Sequence, residues 1–335
     1  MKEYLQKVVN RQDLTQSEMA AAFDLIMTGA ATAAQVGSLI TGLRMKGETV
    51  DEIAGGAESM RRHAVFIDCA GLPVVDTCGT GGDGRNTFNI STTAAFVVAG
   101  AGVPVAKHGN RAITSACGSA DVLMALGVNL EAAPETVEEC VREAGIGFMF
   151  APRLHPAMKY AMGPRKELGF RTIFNMLGPL TNPAGAKGQI IGVFDPSLTE
   201  PFAQVLNRLG SRRAFIVHGH DGMDEITVTT TTRISELNGG QVKTYEFDPL
   251  RFIGEFADPQ ALSGGTPQAN AEITRAVLSG LKGPTRDVVC LNAAAAIAAG
   301  GKAGSIVDGW EIAQAAIDSG AAMQALERMI AVSQA

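Results

Sequence analysis

Beginning at Pro73, short apolar runs alternate with loops and helical segments, and this alternation restricts the possible folds more than any other feature of the chain. Val74-Val75 opens a β-type run that ends in a glycine-rich loop at 79–84. A helix is expected over 92–101, a strand over 103–106 and a helix over 120–126. Strands at 189–194 and 214–218 flank a further helix at 201–209. Strands joined through helices pair in parallel, because a parallel pair needs a long crossover. Ligands then collect at the carboxyl ends of the strands. The threonine run 227–232 reads as one more strand, since threonine is β-branched and Ile226 and Val228 accompany it.

The first 65 or so residues have a different character. Thr15-Gln16-Ser17-Glu18, Thr32-Ala33-Ala34-Gln35 and Thr49-Val50-Asp51-Glu52 each place a hydroxyl three residues before an acceptor, the signature of a capping box. Gly29 and Gly47 stand where the preceding helices should stop. Phe23, Ile26 and Met27, then Val36, Leu39, Ile40 and Leu43, recur at helical spacing. A segment at about 150–185 interrupts the later alternation with helices expected at 160–167 and 171–177, closed by Gly178-Pro179-Leu180-Thr181-Asn182-Pro183. The division is therefore a small α-helical domain at 1–70, completed by roughly 160–185, and a larger α/β domain at 71–159 and 186–335 with a mainly parallel central sheet.

A net charge of −6 argues against a nucleic-acid partner, which needs a basic face. Five cysteines without C-x-x-C spacing argue against a disulfide framework or a structural zinc site. The N-terminus lacks the apolar core of a signal peptide, and the apolar stretch 94–105 is too short and glycine-interrupted to span a bilayer. The expectation is a cytoplasmic protein with no membrane partner.

Chemistry concentrates in four places. Gly79-Thr80-Gly81-Gly82-Asp83-Gly84, between a strand and a helix, can form an anion nest, and Asn89-Ile90-Ser91-Thr92 adds hydroxyls and free amides at the helix start. Lys107-His108-Gly109-Asn110-Arg111 follows the next strand, and Gly118-Ser119-Ala120-Asp121 opens another helix. In His218-Gly219-His220-Asp221-Gly222-Met223-Asp224-Glu225, two consecutive loop carboxylates can address one Mg²⁺. Arg165 offers a planar fork for a substrate carboxylate, although a helix-start arginine serves equally well as a solvated side chain.

These segments, in this order, resemble the anthranilate phosphoribosyltransferase family, together with Phe174-Asn175-Met176-Leu177-Gly178-Pro179-Leu180-Thr181-Asn182-Pro183, Gly264-Gly265 and Leu291-Asn292-Ala293-Ala294. The resemblance runs from about Leu14 to about Ser319. It implies a helical domain hinged to an α/β domain, the fold shared with pyrimidine nucleoside phosphorylases. It also implies a homodimer paired through the helical domain. The implied reaction transfers the phosphoribosyl group of phosphoribosyl pyrophosphate (PRPP) to the amino group of anthranilate, with Mg²⁺ bound as a pair of ions per monomer. By resemblance, Gly79, Gly82, Asp83, Asn89, Ile90, Ser91, Thr92, Lys107, Ser115 and Ser119 match PRPP-contacting positions, with Thr87 nearby. Ser91, Asp224 and Glu225 match the metal positions, and Gly79, Asn110 and Arg165 the anthranilate positions. His108 is a candidate proton acceptor, with a purely structural role as its alternative. The family pattern is departed from at Ala116-Cys117, where many members carry a larger or hydroxylated pair. A nucleoside phosphorylase of the same fold is the nearest rival, and the Asp224-Glu225 pair argues instead for a metal–pyrophosphate substrate.

Overall fold

The N-terminal segment forms four helices, Lys2–Val9, Gln16–Met27, Ala33–Lys46 and Val50–Arg62, in a computed structural model that describes residues 1–112 and 116–335. Thr15, Thr32 and Thr49 each accept a hydrogen bond from the amide three residues on. The side chains of Glu18, Gln35 and Glu52 in turn accept from the threonine amides. Each cap contributes about 1 kcal/mol. Glu52 also accepts from the Leu14 amide at 2.9 Å and pairs with Lys46 at 2.9 Å, so one buried carboxylate fastens three segments.

Seven strands follow: β1 (Val75–Gly79), β2 (Val105–Gly109), β3 (Ile146–Phe150), β4 (Gly188–Gly192), β5 (Arg213–Gly219), β6 (Thr232–Asn238) and β7 (Gln241–Phe247). They lie in the order β3-β2-β1-β4-β5-β6-β7. Neighbours from β3 through β5 are parallel, and β6 and β7 add an antiparallel edge. The mainly parallel sheet expected from the alternation is present.

The threonine run does not extend as a strand; β6 begins only at Thr232. The hydroxyls of Thr227 and Thr229 both donate to Asp221, at 2.6 and 2.5 Å. The amides of Thr227 and Thr229 go to the side-chain oxygens of Thr232 and Thr227. Side-chain oxygens that capture local amides compete with a ladder, and here they win. The helix expected at 171–177 is likewise shorter, spanning Phe174–Leu177, and just before it the Thr172 amide donates to the Asn175 side chain at 3.0 Å.

Pleating sends alternate residues to opposite faces. Ile190, Phe215 and Val217 pack with the helices Ile90–Gly100 and Pro284–Ala299. Ile191, Ala214 and Ile216 face a second cluster that includes Phe23, Ile26, Leu39, Leu177 and Phe202. The helical layer thus shares its core with one face of the sheet. Helix Lys159–Leu168 packs against Ala33–Lys46, and Arg61 donates to the Leu180 carbonyl at 2.7 Å.

Candidate active site

From β1 the chain runs outward to β2 and β3, then returns to β4 on the other side of β1. The crevice between the ends of β1 and β4 is the topological switch point, where ligands bind in open α/β sheets. Gly79 and Gly192, the last residues of these strands, are register partners. The loop after β5 folds back over both. A Cβ on Gly79 would lie 2.7 Å from the Asp224 carboxylate, and one on Gly192 only 1.5 Å from the Asp224 carbonyl oxygen. Both strand ends are glycine because Asp224 occupies the space. The Gly81 amide donates to Asp224 Oδ2 at 3.0 Å, and Thr80 is tied to β4 through its amide and hydroxyl. Gly82 has φ +75°, and its carbonyl accepts from Arg171, whose guanidinium stacks 4.1 Å from the Phe194 ring centroid.

Charge is concentrated beneath this loop. Burial raises the Asp224 carboxyl to about 7, the neighbouring Asp83 adds repulsion, and the Gly81 amide opposes both. Glu225 is pushed well above the usual carboxylate range by burial and then by Asp224, while Lys107 and the Ser91 amide draw it down. Lys107 is itself buried. Its ammonium donates to the Thr77 carbonyl, and the Thr77 hydroxyl donates to the Ser91 carbonyl at 3.0 Å. Burial lowers the Lys107 pKa and the Asp76 carboxylate opposes the shift. Asp83, Ser91, Lys107, Asp224 and Glu225 are therefore brought together.

The donor set is all oxygen, and mutually repelling, desolvated carboxylates are relieved by a divalent cation. Among the described residues, no three His, Cys, Asp or Glu side chains form a metal cage. Mg²⁺ suits such a site, since it takes one or two carboxylates and completes its shell with phosphate and water. The histidines and Asp221 of this loop already have partners within the protein. His218 Nδ1 lies 2.7 Å from the Val193 carbonyl, His220 pairs with Glu246 at 2.6 Å, and Asp221 is committed to Thr227 and Thr229.

Asn89 precedes the helix Ile90–Gly100 and bonds sideways, from Nδ2 to the Cys117 carbonyl at 3.2 Å and at Oδ1 from Asn270 at 2.9 Å. Ile90 is a core residue, so only its backbone can face a ligand. The Thr92 hydroxyl is buried without a partner among the described residues. Thr87 bridges to Ser263. Ser119 starts the helix Ser119–Leu126 and donates to the Asn110 carbonyl at 3.1 Å. Asn110 is exposed, and its side chain accepts from the Arg111 amide at 2.8 Å. Asp121 accepts from the Gly118 and Ala112 amides at 2.9 and 3.0 Å and pairs with Arg111 at 3.3 Å, which neutralises that cation. Ser115 lies outside the described residues.

Arg165 stands apart on the helix Lys159–Leu168, with its guanidinium 5.0 Å from the Phe174 ring centroid. It is half-buried, and its side chain has no hydrogen bond or ion pair among the described residues; burial lowers its pKa. His108 is buried beside His155, ring centroids 5.1 Å apart. Burial, aided by His155, takes His108 down to about 3, and burial takes His155 to about 4.

Arg171, Gly192 and Asp76 have no role in the sequence patterns above, and Asn182 stands in a matching motif without an assigned role. Asp76 accepts from the His108 amide at 3.0 Å and from Asn182 at 2.8 Å, which ties β1 to β2 and to the 178–183 segment. A lone acid inside an apolar run at Val75-Asp76-Thr77 was the available signal.

Residues 2–64 match the profile described as glycosyl transferase family, helical bundle domain, and residues 71–323 match glycosyl transferase family, a/b domain. Anthranilate phosphoribosyltransferase of Desulfosudis oleivorans is 60% identical over 327 residues, covering 97% of this chain and 96% of that protein. The crystal structure of anthranilate phosphoribosyltransferase from Thermus thermophilus matches with a TM-score of 0.94 at 42% identity, covering 99% of both chains. The Saccharomyces cerevisiae enzyme in complex with PRPP and Mg matches with a TM-score of 0.88 at 30% identity, covering 99% of this chain and 97% of that one.

Proposed function

This chain belongs to the anthranilate phosphoribosyltransferase family, and we propose from that premise how its own residues divide the reaction. The enzyme transfers the 5-phosphoribosyl group of PRPP to the amino group of anthranilate, giving N-(5-phosphoribosyl)anthranilate and pyrophosphate, the second step of tryptophan biosynthesis from chorismate. It uses Mg²⁺.

The observation that carries the assignment of roles is the meeting of the glycine loop with Asp224 at the β1/β4 switch point. Amides of the loop 79–84 and the N-terminus of Ile90–Gly100 donate to phosphate oxygens, with Asp83, Thr87, Asn89, Thr92, Lys107, Ser115 and Ser119 completing the PRPP contacts. Asp224, Glu225 and Ser91 hold the metal, as a pair of ions per monomer. Bound Mg²⁺ offsets the negative charge that builds on the departing pyrophosphate. Arg165 takes the anthranilate carboxylate, and Asn110 and Gly79 flank the ring, so the amine is held on the face of the ribose opposite the leaving group. The amine is weakly basic and gives up its proton, as the bond forms, to water or the departing pyrophosphate. His108, whose protonated form burial disfavours, is a poor proton acceptor and acts structurally.

Residues 1–70 with 160–185 act as one helical body seated on a face of the sheet. Two such bodies pair in a homodimer, a reading supported by the exposed apolar side chains Val9, Met45 and Met162 on the helical layer. A cytoplasmic setting suits a substrate as highly charged as PRPP. Anthranilate fluorescence tests the roles: it should decay only with PRPP and Mg²⁺ both present. Decay without Mg²⁺ would remove the metal assignment. Mg²⁺ titration calorimetry with PRPP bound counts the ions, and light scattering reads the dimer.

A further inference from the structure

The Gly264-Gly265 turn and the helix Pro267–Leu278 that follows it have no part in the roles above, yet they press against the PRPP segment along its length. Phe88 donates to the Leu262 carbonyl at 3.1 Å, Gly264 donates to the Asn86 carbonyl at 2.8 Å, and Thr93 and Thr274 share a 2.9 Å hydroxyl bond. A Cβ on Gly264 would lie 2.6 Å from the Thr87 carbonyl oxygen, so the turn must be glycine to come this close.

Asn270 is the centre of this brace. It is 1% exposed. Its Oδ1 accepts from the Gly265 amide at 2.7 Å and its Nδ2 donates to Asn89 Oδ1 at 2.9 Å. A buried amide whose oxygen and nitrogen are both engaged has one orientation, because flipping it would set like against like. That orientation is transmitted: Asn89 must present its oxygen to Asn270, and its Nδ2 is thereby aimed at the Cys117 carbonyl, directly before Gly118-Ser119. We propose that Asn270 is a positioning residue for PRPP, fixing the Asn89 side chain and joining the 86–92 and 117–119 segments into one rigid wall of the site.

The proposal rests on the reading of Asn89 as a PRPP contact, and a double-mutant cycle separates the two. Asn270→Ala removes the brace, while Asn270→Asp keeps its shape and the bond from Gly265 but opposes an oxygen to Asn89. Each variant should raise the KM for PRPP roughly five- to thirtyfold, the loss of one or two hydrogen bonds, while the KM for anthranilate at saturating PRPP stays unchanged. Asn89→Ala should raise the PRPP KM similarly, and Asn89→Ala with Asn270→Ala should be no worse than the poorer single variant. A merely structural Asn270 would lower Tm and the active fraction without moving the PRPP KM of the active enzyme, which would overturn the proposal. Multiplying effects in the double variant would overturn the route through Asn89. An unchanged PRPP KM in Asn89→Ala would instead sink the underlying contact. If Asn270→Ala does not fold, the isosteric Asn270→Asp carries the same test.

Discussion

Gly81 and Asp224 stand 143 positions apart in the sequence, and the amide of the first donates a 3.0 Å hydrogen bond to the carboxylate of the second. The glycine loop and the loop that carries Asp224 are therefore one structure. A change on either side is transmitted to the other.

Asp224→Asn keeps the acceptor for Gly81 and removes the charge. The variant should lose about a hundredfold or more in kcat/KM for PRPP and require more Mg²⁺, and Glu225→Gln should behave alike. Tm should hold or rise, since a desolvated carboxylate has been removed. Initial rates across a Mg²⁺ titration, paired with a thermal melt, check this. Wild-type rates for both variants at limiting Mg²⁺ would take the pair out of the metal site.

The glycines should separate by mechanism. Gly82→Ala meets positive φ, worth about 1–2 kcal/mol of local strain, and crowds Arg171 at 3.0 Å, so it should raise the PRPP KM and spare the Mg²⁺ requirement. Gly79→Ala presses on Asp224 at 2.7 Å and should disturb both. Gly192→Ala, 1.5 Å from the Asp224 backbone, should be the most damaging of the three. Steady-state kinetics in PRPP and in Mg²⁺ give the ranking, and an equal effect at Gly82 and Gly79 on Mg²⁺ use would contradict it.

Local chemistry was legible in the sequence. Each capping box is complete within four residues, and the turn at 81–84 is legible from its glycines, three of which take positive φ. Residues defined by distant partners were not. Nothing near Gly192 reveals that Asp224 will cover it, and nothing near Arg171 names the Gly82 carbonyl as its acceptor. The threonine run departs from its propensity through a nearer partner. Its β-propensity is intrinsic, but Asp221, six positions before Thr227, captures its hydroxyls and bends the chain.

His108 and His155 set an acid limit on stability. Their folded pKa values, about 3 and about 4, lie below the ordinary 6.5. The unfolded chain therefore binds protons that the native state refuses. Their contribution is fully present above about pH 6.5 and declines as pH falls toward 4, on the order of 1 kcal/mol per unit for each histidine. The double variant His108→Gln with His155→Gln should show a smaller Tm difference between pH 7 and pH 5 than wild type. An identical difference would mean the imidazoles are not held neutral.

Arg165 separates the two substrates most cleanly. Its guanidinium is half-buried against Phe174, with no hydrogen bond or ion pair among the described residues, so a desolvated fork stands ready for a carboxylate. If it binds anthranilate through two parallel bonds, Arg165→Ala should raise the anthranilate KM far more than that of PRPP. A charge-assisted hydrogen bond contributes roughly 1.5–3 kcal/mol, which corresponds to about a tenfold to hundredfold loss in kcat/KM for anthranilate. Lysine keeps the charge but neither the fork nor the planar stacking on Phe174, so Arg165→Lys should recover only part of that loss. The competing role is packing alone, with the guanidinium covering the ring. Loss of packing would lower Tm and shift both substrates together. Measuring the two KM values and the melt of Arg165→Ala decides between them: equal shifts in both KM values would remove Arg165 from the anthranilate site.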